Sequence, residues 1–551
     1  MIFKMIELSE QAKALLNMFY LKDCTYTELL LKLAKKYSGG DEKLETKLYQ
    51  YSIKGWFVYS SPILSDFKKG LPISCFVMDV KDDLPHIIDH SVEMRWLSVN
   101  GGGCAGYWGS IRAPCDKSCG PMPFMHTLDA DVLAYKQGST RKGSYAAYLD
   151  VSHPDIVEFI NMRTPVGDLN RKNLNLHHGV NITDAFMRAV EEELEWDLKD
   201  PYTGSIRETI SAVELWRSLL ETRFRTGEPY LNFIDEANRK LHPALKAKNL
   251  KIKSSNLCNE IHLPTNENRT AVCCLTSLNL EKYDEWKDTD VVECCVKMLN
   301  NVLDVFIEKA PPQLNKAVKS AQQERSIGLG ATGWAYYLMK HQIPFESFEA
   351  TTCTKIIFGN IKTKALKASK TLAKIDGEPE NLKEYNIRNA HLLAIAPNSN
   401  TSCILNTSPS IEPISGNAYV HKTRAGTHLI TNPYLKHVLI DRGKNDSETW
   451  DSIVNNDGSI QHLPFLTNHE KLVFKTAYEI DQSVLVEQAA IRQKYICQGQ
   501  SLNLFFPPHT QRKILHNVHF KAWKLGCKGL YYLRTAASKS SENVFCDRCQ
   551  S

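Results

Sequence analysis

Residues 254–261 read Ser-Ser-Asn-Leu-Cys-Asn-Glu-Ile, or SSNLCNEI. An amide, a thiol and a carboxylate stand at alternating positions: Asn256, Cys258 and Glu260. In an extended segment such positions project to one face, whereas a helix turns about 100° per residue and scatters them. An extended chain here gathers the three groups into one small volume. There the carboxylate can act as a base, the amide can orient a hydroxyl, and the thiol can do redox or nucleophilic work. The plainer alternative is a strand with one buried cysteine flanked by two exposed polar side chains. The rest of the chain has to decide.

Outward from this stretch, short β-rich runs alternate with longer amphipathic ones from about residue 61 onward. ISCFVMDV (73–80), HGVNIT (178–183) and HLLAIA (391–396) read as strands. ISAVELWRSLLETRFRTG (210–227), VECCVKMLNNVLDVFIEK (292–309) and NHEKLVFKTAYEIDQSVLVEQAAIRQKY (468–495) read as helices. Strand and helix alternation over so long a stretch predicts a parallel α/β architecture, barrel or open sheet. Residues 1–60 read as helical, with Ser9 and either Thr25 or Thr27 as N-caps and SGGDEK (38–43) as a turn. The end, RTAASKSSENVFCDRCQS, is small and polar and suits a mobile tail.

The 551 residues allow two or three average domains or one large barrel with additions. A net charge of +5 is too mild and too dispersed for a nucleic-acid binder. No window approaches the roughly 18 apolar residues of a membrane helix, and charges interrupt the N-terminal apolar run. The chain therefore reads as cytosolic. Sixteen cysteines in such a chain are mostly small buried hydrophobes; those in polar or exposed settings carry the chemistry.

Cys75 in LPISCFVMDV and Cys273 in TAVCCLTSLNL are flanked by apolar residues, and alone each reads as core. Cys546 and Cys549 in FCDRC form a Cys-x-x-Cys pair, which serves as a redox dithiol or as half of a zinc site. No second such pair completes a zinc site, and a dithiol on a mobile tail favours disulfide exchange. Tyr531 and Tyr532 in GLYYLRT are either packing residues or a pair of phenols passing an electron and a proton. NGGGCAG (100–106) and APNSNTSCI (396–404) are loops rich in potential anion donors, each weak evidence alone. There is no Walker A sequence and no G-x-G-x-x-G after a strand, against a P-loop ATPase or a Rossmann dehydrogenase.

Taken in order, SSPIL, ISCF, NGGGCAG, GSIRA, QGSTRKGSYAAYLD, SNLCNEI, CCLTSLNL, APNSNTS, SIEP, YYLRT and the terminal cysteine pair resemble the large, catalytic subunit of class I ribonucleotide reductase. Bacteriophage and bacterial members are nearest in character. The resemblance runs from about residue 61 to 551, nearly nine tenths of the chain. It implies a ten-stranded α/β barrel of two antiparallel halves of five parallel strands, with a finger loop carrying Cys258 to the centre. The implied division is a short helical segment over 1–60, the barrel over 61–535 and a redox tail over 536–551.

The implied reaction replaces the ribose 2′-hydroxyl of a ribonucleoside diphosphate by hydrogen. Cys258 would hold a transient thiyl radical, Glu260 would take the 3′-hydroxyl proton and Asn256 would bond the substrate hydroxyls. Cys75 and Cys273 would supply the electrons and end as a disulfide, provided the fold brings their Cα atoms within about 7 Å. Cys546 and Cys549 would reduce that disulfide and be reduced by thioredoxin or glutaredoxin. Tyr532 and Tyr531 would relay the radical from a metal-containing small subunit, so this subunit needs no metal or cofactor. Substrate would sit at Ser61, Ser74, Gly102 and Gly103, its diphosphate at Asn398, Ser399, Asn400, Thr401 and Ser402. A dNTP or ATP effector would bind near Asp82 and Arg112, and loop 139–144, with Arg141, would pass the signal on. A homodimer is implied, with neither nucleic acid nor membrane as partner.

The chain departs from the family in having only about 60 residues before SSPIL, where no ATP-binding cone pattern is legible. The doubled Cys273-Cys274 leaves room for Cys274 in the redox role, although the match to TSLNL favours Cys273. Two rivals stand: an adenosylcobalamin-dependent class II reductase, which needs no Tyr531-Tyr532 pair, and a non-catalytic relative that only binds nucleotide or the small subunit.

Overall fold

The computed structural model describes residues 6–21, 23–65, 70–135, 143–423 and 426–536. Cys546, Cys549 and Arg141 lie outside the described residues, as does most of the loop 139–144.

Three amphipathic helices open the chain: Glu10–Phe19, Tyr26–Tyr37 and Glu42–Ile53. Their starts follow from side-chain oxygens that accept the first free backbone N–H groups: Ser9, then Thr25 and Asp41. Thr25 forms a full capping box with Glu28, which settles the choice against Thr27. The apolar faces of these helices join the main core through Leu16, Leu33, Tyr37 and Leu48.

The strands are β1 (Phe57–Tyr59), β2 (Cys75–Asp79), β3 (Gly103–Tyr107), β4 (Tyr145–Asp150), β5 (His177–Ile182), β6 (Glu195–Lys199), β7 (Ile206–Ser211), β8 (Tyr230–Phe233), β9 (Ala271–Asn279), β10 (Ile327–Thr332), β11 (Ala418–Thr423), β12 (Gly426–Thr431), β13 (Leu504–Phe506), β14 (Gly529–Leu530) and β15 (Leu533–Thr535). The main sheet runs β1-β9-β2-β3-β4-β5-β8-β14, with β10 added beside β9. Within it β2, β3, β4, β5 and β8 are mutually parallel, forming one five-stranded half. The second half begins at β9, which pairs antiparallel with β2 and parallel with β10. It continues through bridges from Leu329 to Leu393 and from Ile395 to Gln500.

The α/β barrel in two opposed halves is thus as the resemblance implies, but the strand count differs: the continuous sheet has nine strands rather than ten. HLLAIA accounts for part of the difference. The backbone N–H groups of Leu392 and Leu393 are donated to Cys497 Sγ, at 3.1 and 3.2 Å. The run therefore meets its neighbours at isolated bridges and forms no regular ladder.

Helices cover the outside of the sheet, among them Leu84–Val99 between β2 and β3, Ala212–Thr226 before β8, and Val291–Lys309 between β9 and β10. The stretch 468–495 is not one helix. Asn468–Val473 ends at Phe474, and Gln482–Gln493 starts afresh from an Asp481 N-cap. No helix among the described residues is long and apolar enough to cross a membrane.

Candidate active site

The segment 251–261 leaves the sheet after β8 and passes through the barrel before returning as β9. Every residue from Ser254 to His262 is buried. It is not extended at the critical point. Residues 256–259 form a turn, closed by Asn259 N–H donating to the Asn256 carbonyl at 3.2 Å, with Asn259 left-handed at φ 60°. The alternation argument therefore gives the wrong geometry, and the three groups meet by another route. The Asn256 side-chain oxygen accepts from the backbone N–H groups of Glu260 and Ile261, at 2.9 and 3.1 Å. Its amide nitrogen donates to Cys75 Sγ at 3.1 Å, and Cys75 Sγ lies 3.9 Å from Glu260 Oε1.

Both halves of the barrel hold the turn. From the first half, Tyr148 Oη donates to the Asn256 carbonyl at 2.7 Å. Asn259 Nδ2 donates to the carbonyls of Leu231 and Leu530, at 3.0 and 3.2 Å. From the second half, Ser501 Oγ donates to the Cys258 carbonyl at 2.7 Å and lies 3.2 Å from Glu260 Oε2. Gly103 allows the close approach: a Cβ there would stand 3.2 Å from Leu257.

Cys75 and Cys273 are direct partners across the antiparallel junction of β2 and β9. Such partners have Cα atoms about 4.5–5.5 Å apart, inside the disulfide range of about 4.4–6.8 Å. Neither forms a disulfide here. Cys274 points the other way, its Sγ donating to the Leu299 carbonyl at 3.4 Å within the helical core. Strand alternation thus separates the two and leaves Cys273 on the site side. Burial drives the Cys273 thiol well above its usual pKa. Burial also pushes Glu260 up to about 7, against bonds from Asn256, Ser501 and Cys75 that lower it.

Cys258 packs with Tyr148, Tyr230 and Tyr531, and Tyr532 borders that cluster. The Tyr531 and Tyr532 rings stand 4.4 Å apart, and Tyr230 is 4.8 Å from Tyr531 and 5.2 Å from Tyr532. A chain of contacting phenols therefore runs from the half-buried Tyr532 to Cys258. Tyr230, Tyr148, Ser501 and the groups around Tyr532 were not singled out in the sequence. The one available signal was a tyrosine inside an otherwise apolar strand; Ser501 lies outside any strand and offered none.

The remaining expected residues fall as follows. Ser61 is buried and shares a 2.8 Å bond with Tyr20 Oη. Ser74 precedes Cys75, with its Oγ buried and unpaired among the described residues. Gly102 is required by packing, since a Cβ would meet the Phe76 ring at 2.5 Å. Asn398 is left-handed and caps the helix Ser399–Leu405, while its side chain bonds Ser277 Oγ at 3.0–3.2 Å. Ser399, Asn400 and Thr401 occupy the first turn, where backbone N–H groups lack helical acceptors, and Ser402 N–H already donates to the Asn398 carbonyl. Asp82 and Arg112 are paired at 2.6 Å, and the Arg112 guanidinium lies 3.8 Å from the Tyr202 ring centroid.

The family described as "Ribonucleotide reductase, barrel domain" matches residues 73–385 and 379–533. A Frog virus 3 (isolate Goorha) protein, provisionally named a ribonucleoside-diphosphate reductase large subunit, is 59% identical over 98% of this chain and 96% of its own. The ribonucleoside-diphosphate reductase large subunit of Invertebrate iridescent virus 3 is 42% identical over 91% of this chain and 89% of its own. These two are viral but not bacteriophage proteins. Among solved structures, the class Id ribonucleotide reductase alpha subunit of Actinobacillus ureae superposes with a TM-score of 0.88 at 37% identity, over 97% of this chain and 98% of that one. The chain therefore belongs to the family of class I ribonucleotide reductase large subunits.

Proposed function

We propose that this chain reduces ribonucleoside diphosphates to 2′-deoxyribonucleoside diphosphates, as the names of its relatives state for them. The observation that carries the reading is the buried turn that ties Asn256 and Glu260 to Cys75, with Cys273 directly across the sheet. Cys258, as a thiyl radical, takes the 3′ hydrogen and later returns it. Glu260 accepts the 3′-hydroxyl proton, and Asn256 orients the substrate hydroxyls. The 2′-hydroxyl leaves as water while Cys75 and Cys273 lose two electrons and form a disulfide. One dithiol is thus consumed for each deoxyribonucleotide made. Cys546 and Cys549 restore it by exchange, reduced in turn by a thioredoxin- or glutaredoxin-type protein.

The radical reaches Cys258 from a separate metal-containing small subunit through Tyr532 and Tyr531. The contacting phenols support this class I reading over the cobalamin-dependent one. Substrate lies against Ser61, Ser74, Gly102 and Gly103, with its diphosphate at residues 398–402. A dNTP or ATP effector sits by the Asp82–Arg112 pair, signalling through Arg141. The helix Leu84–Val99 exposes Leu84, Ile88, Val92, Trp96 and Val99 in one stripe, which suits a homodimer face. Cysteines buried as thiols, Cys274, Cys294 and Cys295 among them, fit a reducing compartment such as the cytoplasm.

The test is turnover of cytidine diphosphate with dithiothreitol and the cognate small subunit. Deoxycytidine diphosphate should accumulate over many turnovers. None from a folded, small-subunit-bound sample would reduce the chain to a binding protein.

A further inference from the structure

The geometry points to His177 as a positioning residue for Tyr532, donating one N–H that Glu228 anchors and that the Tyr532 oxygen shares. This rests on the relay role given above to Tyr531 and Tyr532.

His177 opens β5 and Glu228 stands two residues before Tyr230; both side chains are buried. His177 Nδ1 lies 2.6 Å from Glu228 Oε1 and 3.2 Å from Tyr532 Oη. Glu228 is ion-paired with Arg163 Nη1, and its second oxygen accepts the His178 backbone N–H at 3.2 Å. A carboxylate so surrounded stays ionised: burial opposes this, but His177 and Arg163 hold it well below the usual carboxylate range.

An ionised carboxylate only accepts, so the His177 nitrogen facing it must carry the ring proton. The same N–H then faces the Tyr532 oxygen as a second acceptor, and Tyr532 cannot donate its own proton to that nitrogen. His177 Nε2 is buried and unpaired among the described residues, so Nδ1 is the ring nitrogen that both partners share. The ring is further fixed by lying nearly parallel to Tyr230, at 15° and 6.2 Å.

The consequence concerns Tyr532 as both phenol and phenoxyl. When Tyr532 gives up an electron to the small-subunit oxidant and loses its proton on its other side, its oxygen retains the donor at His177. The tyrosine keeps its place against Tyr531, and the radical keeps a hydrogen-bond partner.

The test uses the holoenzyme with 3-aminotyrosine in place of Tyr532, whose radical is long-lived enough for electron paramagnetic resonance. With His177 intact, the radical should show an exchangeable deuteron hydrogen-bonded to its oxygen after transfer to D2O. His177→Phe should remove that coupling and, with natural Tyr532, lower turnover about three- to tenfold, the scale of one hydrogen bond. His177→Gln, which keeps an N–H donor, should recover part of both, and His177→Leu serves as the donor-free variant if the Phe variant does not fold. An unchanged coupling and turnover within twofold in either variant that lacks the donor geometry would overturn the proposal while leaving the relay intact. Full turnover by Tyr532→Phe would instead remove the relay on which the proposal rests.

Discussion

At the residue scale Glu260 is held between two demands. Burial favours its neutral form, and the proposed chemistry needs it ionised to take a proton. With its pKa pushed up to about 7, turnover should climb between pH 6 and 8 with a midpoint near 7. Glu260→Gln should lose that limb and turn over about 10²–10⁴-fold more slowly, the usual range for a lost acid-base group. The same shift has the opposite sign for stability. The folded chain binds this proton more tightly than the unfolded one, so the contribution is full below the ordinary carboxylate pKa and is lost as pH rises through about 7.

Cys258, Glu260, Asn256, Cys75 and Cys273 could be read from the sequence because unusual residues recur there in family order. Tyr148, Ser501 and Tyr230 could not. Tyr148 and Tyr230 reach the turn from β4 and β8 and Ser501 from the irregular segment before β13, and only the tertiary arrangement puts them there. The alternation read in SSNLCNEI failed for a local reason: Asn259 adopts a left-handed conformation that asparagine tolerates well, so the chain turns where an extended strand was expected.

At the element scale the finger turn depends on its neighbours for shape. A Cβ on Gly179 of β5 would stand 2.4 Å from the Tyr148 ring. Gly179→Ala should therefore displace Tyr148 and its bond to the Asn256 carbonyl, and the loss should be larger in kcat than in KM. Steady-state kinetics with cytidine diphosphate checks this. Asn259→Ala removes two bonds to buried carbonyls and places alanine at a positive φ. Together these should cost about 2–4 kcal/mol, measured by urea unfolding. Elements with strong end signals were legible, as in the helices capped by Ser9 and Thr25. The single helix read over 468–495 was not, because the apolar period runs on through a break that Asp481 makes by starting a new helix.

At the scale of the whole molecule, the barrel works by bringing opposite ends of the chain together. Cys75 from β2, Cys273 from β9 and Tyr531 near the end of the described chain all converge on one turn. The parallel α/β character was visible in the alternation of runs. Which strands are neighbours was not, since the β2–β9 junction joins segments almost 200 residues apart. If Tyr531 and Tyr532 carry the radical, Tyr531→Phe and Tyr532→Phe should each abolish turnover with the small subunit while leaving thermal stability within a few degrees. If the exposed stripe on Leu84–Val99 is a subunit face, Ile88→Lys should shift a dimer towards monomer in light scattering.

The central claim is that Cys75 and Cys273 supply the electrons. A single-turnover experiment addresses it most directly. The Cys546→Ser/Cys549→Ser protein, with small subunit and cytidine diphosphate but no added reductant, should form up to one deoxycytidine diphosphate per chain. Peptide mapping after thiol blocking should find an equal amount of Cys75–Cys273 disulfide, with Cys274 unmodified by the reaction. Product formed without that disulfide, or with Cys274 in its place, would contradict the account.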